Sequence, residues 1–196
     1  MLASITPLGE RGRQSTWGVT MTAFVIGATA AGTVFGAILG AVGAALLGDA
    51  VSGQPRLAAF ALVACAGVVL ELLPRRIPGP RRQVNEHWLD EFRGWVYGVG
   101  FGAQLGLGIT TIVTSAATYV TLLAAVLTGD PARGALVVGI YGAVRGITPL
   151  VSARVRRPDQ LFAMHRWIER RRGAAAWIAT ASLAAVLVLS AVGSLT

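Results

Sequence analysis

Apolar residues along this chain fall in long runs that carry almost no charge, and polar residues collect between the runs. The runs cover roughly 18–47, 57–73, 96–128, 132–152 and 174–195. A helix needs about 20 residues to cross the hydrocarbon of a bilayer. The pattern therefore predicts an all-α integral membrane protein with five transmembrane helices. The second run is short for a span. The first and third are long, which predicts helices that tilt, bend or protrude. Residues 1–17 read as a polar tail.

Two connecting stretches have a pattern of their own. At about 82–94, Val84, Trp88, Phe92 and Trp95 share a helical face with Leu89. At about 159–172, Leu161, Met164 and Ile168 form a stripe behind a Pro158-Asp159 helix start. Both predict amphipathic helices at the cytoplasmic surface, with aromatic and aliphatic groups at headgroup depth.

The landmarks recur. Trp17 opens the first long run and Trp95 the third; Gly48-Asp49 and Gly129-Asp130 close them. A second span then ends near Pro74 or Pro149. Paired arginines follow, Arg75-Arg76 or Arg156-Arg157, and then a stretch carrying His87 or His165. The offset is about 78–81 residues for most of these pairs. The chain thus reads as a loose tandem repeat, each unit holding two helices plus one interfacial helix. An even number of spans gives both units one orientation.

Composition agrees with the membrane reading. The chain has 196 residues, 54% hydrophobic and 13% charged, where soluble domains carry about 25% charged residues. The net charge is +8, and all 17 basic residues are arginine. Fourteen of them lie in the tail, in 74–94 and in 153–173. Arg56 and Arg133 lie on the other side, and Arg145 within a span. The positive-inside rule then puts the N-terminus and both long connections in the cytoplasm and the C-terminus outside, in a multi-pass protein of the cytoplasmic (inner) membrane. A nucleic-acid binder would set its arginines on a folded polar surface among stacking aromatics; here they sit between spans. The expected partners are the lipid bilayer and a further copy or another membrane protein, with no nucleic acid.

The chemistry-bearing residues are few. Cys65 is the single cysteine and lies within an apolar run, so no internal disulfide, CxxC pair or zinc site is available. No metalloprotease, nucleophile-elbow or phosphate-loop motif is present, which argues against an enzyme and against a metal or cofactor. Gly32, Gly36 and Gly40 make a small-residue ridge suited to close helix packing. In the third run, Gln104, Thr110, Thr111, Thr114, Ser115, Thr118 and Thr121 fall within an arc of about 140° on a continuous helix. That arc is either a helix–helix seam or the wall of a polar pathway, because lipid offers it no hydrogen-bond partners. Glu71 and Arg145 are the ionisable groups within spans, at equivalent places in the two units, and an intramembrane ion pair between them would neutralise both.

Residues 99–151, "VGFGAQLGLGITTIVTSAATYVTLLAAVLTGDPARGALVVGIYGAVRGITPLV", resemble the second half of the CcdA/DsbD-type membrane core, the thiol-electron carriers of cytochrome c biogenesis. The similar features are a glycine-rich helix entry, a small-residue helix, a short turn, "GALVVGIYG" and "GITPL". That family works through a membrane cysteine pair, and the matching stretch here holds Ile109, Thr110 and Thr111 instead. It is also built from inverted three-span repeats. The resemblance therefore implies the packing of a small-solute or electron carrier, without thiol chemistry. The expected function is a small transporter-like protein for a small solute; the alternative is a non-catalytic accessory or scaffold subunit of a membrane complex.

Overall fold

The computed structural model describes residues 5–48, 53–73, 77, 79, 88–110 and 113–195. Among these residues the regular structure is helical, with no strand. The order is α1 (Pro7–Gly12), α2 (Trp17–Leu47), α3 (Gln54–Leu72), α4 (Trp88–Glu91), α5 (Gly94–Leu107), α6 (Ala117–Leu127), α7 (Pro131–Ile147), a 3-10 turn (Thr148–Arg154) and α8 (Pro158–Leu195). Four stretches are long and apolar enough to cross a membrane: Trp17–Leu47, Gln54–Leu72, Pro131–Arg154 and Pro158–Gly193. The protein is an all-helical membrane protein.

The third run differs from expectation. It forms α5 and α6 rather than one helix. Gly108 ends α5 at φ +76°, a left-handed conformation that glycine adopts without a Cβ clash. Residues Ile109 to Thr114 are then six β-branched side chains in succession. Each loses χ1 freedom against the preceding helical turn, so together they favour leaving the helix. Thr110 adds a local competitor, its Oγ1 donating to the carbonyl of Gln104.

The ends differ too. Residues 158–195 form one helix, so the second expected surface helix runs straight into the last span. Nothing between Arg172 and Trp177 breaks a helix: Gly173 is followed by three alanines. Of the first expected surface helix, residues 82–87 with His87 lie outside the described residues, and α4 is its helical remnant. The expected N-terminal tail is folded. Thr6 caps α1 by accepting from the Gly9 N–H at 3.0 Å, and Pro7 takes the first helical position.

The chain divides into two compact units. The first comprises Met1–Gly32, Pro80–Ile112 and Gly139–Arg172. Its core is Ile5, Met21, Phe24, Leu89, Tyr97 and Phe101, flanked by Trp17, Trp88 and Leu105. Here α2 and α5 pack in parallel. A side chain at Gly98 would meet Thr20, one at Gly102 would meet Phe24, and one at Gly106 would meet Ala28. Each contact joins residues 78 positions apart, the offset at which Trp17 and Trp95 recur. On α7, Gly142 packs on Ala28 and Gly146 on Val25 and Ala28, so α7 runs antiparallel to α2. The 3-10 turn holds α1: Ser152 Oγ donates to the Ile5 carbonyl at 3.1 Å, and the Leu8 N–H to the Val155 carbonyl at 3.2 Å.

The second unit comprises Thr33–Gly79, Val113–Val138 and Gly173–Thr196. In it Gly36 packs on Gly134, Gly40 on Asp130 and Gly43 on Val126, again antiparallel. α3 lies along α6, with Gly67 against Val120 and Leu183. Arg56 donates to the carbonyls of Gly48 at 3.0 Å and Thr128 at 3.3 Å. It thereby ties together the two turns where Gly48 and Gly129 take φ of +50° and +55°.

Candidate functional site

In the first unit, α1 delivers Glu10 into the core, where it is 0% exposed. Three side chains surround its carboxylate. The Tyr97 hydroxyl donates to it, 2.7 Å from Oε1 and 2.6 Å from Oε2. Thr20 Oγ1 donates to Oε2 at 2.8 Å, and Arg13 Nη2 to Oε1 at 3.0 Å. The Arg13 guanidinium also lies over the Tyr97 ring, 5.8 Å from its centroid. Burial works to lower the Arg13 pKa, but the hydrogen bonds and the attraction of Glu10 and Tyr97 outweigh it and raise the pKa above the ordinary arginine value. A buried carboxylate is tolerable only when so paired and hydrogen-bonded.

Beside this cluster lies an open cavity of about 590 Å³. Arg13, Gln14, Ser15, Thr16 and Arg93 supply its polar side. The starts of α2 and α5 both reach it, through Thr16 and Gly94. Glu10 falls in the stretch whose sequence predicts only a polar tail. The available signal was Thr6-Pro7, a helix start that puts Glu10 on an ordered element.

In the second unit the notable group is Glu71, in the last turn of α3. Its Oε2 accepts from the Ala116 N–H at 2.8 Å and from Ser115 Oγ at 3.3 Å. Ser115 Oγ accepts from the Ala117 N–H at 3.1 Å. Ala116 is the cap position of α6 and has no capping side chain of its own. Glu71 thus caps a helix from a neighbouring helix, placing a carboxylate at its positive end.

Arg145 is held by a residue of its own helix. Its Nη1 donates to the Tyr141 hydroxyl at 2.7 Å, and its guanidinium lies 5.4 Å from that ring's centroid. Glu71 and Arg145 belong to different units, and each is met by groups of its own unit. The expected polar arc is divided. Gln104 and Thr110 lie on and after α5, whereas Thr114 and Ser115 precede α6 and Thr118 and Thr121 belong to it. Thr118 is buried, Thr114 exposed, and Thr121 donates to the Ala117 carbonyl at 2.8 Å. Thr111 lies outside the described residues. Gly36 and Gly40 are seam positions of α2, and Gly32 lies beside Gly142. The longer ridge of Gly94, Gly98, Gly102 and Gly106 on α5 was missed, though its spacing of four was legible. Among the described residues no cluster of three metal-ligating side chains occurs.

The chain is similar to methylamine utilization protein MauF from Paracoccus denitrificans, with 30% identity over 163 residues, 82% of this chain and 55% of the relative. The protein of the same name from Paracoccus versutus is 32% identical over 165 residues, 83% of this chain and 58% of the relative. The chain spans a little over half the length of these relatives. No protein-family model and no solved structure matches it.

Proposed function

We propose that this chain is a non-catalytic accessory subunit, set in the cytoplasmic membrane, of a system for methylamine utilisation. The observation that carries the reading is the 30–32% identity to the two methylamine utilization proteins over more than four fifths of the chain. The structure is compatible with it. Its buried Glu10 is satisfied internally by Tyr97, Thr20 and Arg13, and its half-buried Glu71 by the start of α6. In this reading the glycine ridges and the α5–α6 segment serve packing, and the partner is a further copy or another membrane protein.

The topology proposed with it has five crossings, with α5 and α6 together making the third. The N-terminus is cytoplasmic and the C-terminus external, on the strength of the fourteen arginines on one side. The parallel packing of α2 on α5 at the repeat's own offset favours a tandem repeat. A second reading, a carrier of a small solute, draws on the broken α5–α6 segment, since carriers place helix ends near their solute.

The test is growth of the source organism, with the chain's gene deleted, on methylamine as sole nitrogen source, beside uptake of radiolabelled methylamine. The accessory reading expects growth to be lost, uptake to persist, and the intact gene to restore growth. Unimpaired growth rejects the methylamine role; loss of uptake itself moves the assignment to the carrier.

A further inference from the structure

We propose that the cavity beside Glu10 binds the phosphate of an anionic phospholipid headgroup. The polar side of the cavity is made for an oxyanion. Arg13 and Arg93 bring guanidinium groups, whose planar donors match phosphate oxygens. Ser15 and Thr16 add hydroxyls. The charge of Arg13 is matched by Glu10 at 3.0 Å, which fixes the guanidinium in place, so Arg93 supplies the attraction beyond that pair. The parallel α2 and α5 both begin here, and the N–H groups of a helix's first two residues have no carbonyl partner in the preceding turn. Two positive helix ends therefore reinforce the arginines.

The other side of the cavity is apolar and turned outward. Val19 and Trp95 are each 54% exposed, and Phe92 46%. From this rim α2 continues as a 31-residue apolar helix. A phospholipid has the same sequence of chemistry, an anionic head followed by hydrocarbon. Inorganic phosphate would use only the polar half of a space whose volume, about 590 Å³, is that of a small-molecule site. The inference needs the membrane reading of α2 but not the methylamine role.

The test uses the whole chain purified in detergent, with phosphatidylglycerol, phosphatidylcholine or inorganic phosphate added. Thermal unfolding reports stabilisation, and native mass spectrometry counts bound lipid in the same samples. Phosphatidylglycerol is expected to raise the melting temperature most and to remain bound. Arg93→Gln should weaken that binding roughly tenfold, the worth of one charge-assisted hydrogen bond. Arg93→Lys should keep most of it, and Arg166→Gln, an exposed arginine outside the cavity, should change nothing. If Arg93→Gln proves less stable by itself, the count of bound lipid still decides. Equal losses for Arg93→Gln and Arg166→Gln overturn the site. A phosphate effect as large as that of phosphatidylglycerol overturns the lipid as its occupant.

Discussion

The hydroxyl of Tyr97 donates to the carboxylate of Glu10 across 87 positions of chain, at 2.6–2.7 Å. This contact joins α1 to α5, and with Thr20 it includes the start of α2. The N-terminal helix of six residues is too short to hold its form alone. It is ordered by what Glu10 reaches.

Tyr97→Phe keeps the ring and removes the donor. It should cost about 1–3 kcal/mol, because the buried carboxylate loses a partner that water cannot replace. Glu10→Gln should cost less when combined with Tyr97→Phe than the two costs added. A double-mutant cycle on denaturant unfolding in detergent measures the coupling; strictly additive losses would exclude the contact.

Glu71→Ala removes the cap of α6 and should cost about 0.5–2 kcal/mol, the range of a lost helix cap. Glu71→Gln keeps an acceptor and should recover much of this. Hydrogen exchange at the Ala116 amide is the local readout: protection should fall in the alanine variant and largely return with glutamine.

Two Gly→Ala changes should have opposite signs. At Gly102 a Cβ would run into the Phe24 carbonyl, lie 2.9 Å from the Phe24 carbonyl carbon and 3.0 Å from the Ala28 nitrogen. Forcing α2 and α5 apart should cost about 1–3 kcal/mol. At Gly173, inside α8, a Cβ meets nothing within 4 Å. Alanine there should stabilise by about 0.5–1 kcal/mol through helix propensity. Melting temperatures that move the same way for both would contradict the packing of α2 on α5.

For the topology, a reporter enzyme active only outside the cytoplasm should work when fused after Thr196. Fused within residues 78–86, it should be silent. The reverse pattern would invert the orientation read from the arginines.

The long apolar helices were legible because hydropathy and length act locally: α2, α3, α7 and the apolar half of α8 sit where the runs placed them. The break between α5 and α6 was also written locally, in Gly108 and the β-branched run. A stripe of threonines masks it, because hydroxyls spaced along one face fit an unbroken helix as well. Glu10 was a different kind of loss. Its value lies in Tyr97 and Thr20, and no local pattern announces a partner 87 positions away. The partners of Glu71 hid for the same reason as the break: Ser115 and Ala116 matter only once a helix begins there.

The parallel seating of α2 on α5 also has a consequence for the order of synthesis. The glycines of α5 that receive Thr20, Phe24 and Ala28 are made only after α3. Until then the positions of α2 that those glycines receive, Thr20, Phe24 and Ala28, have no seat. Pausing of translation between Leu72 and Gly94 would lengthen the time that α2 spends without α5.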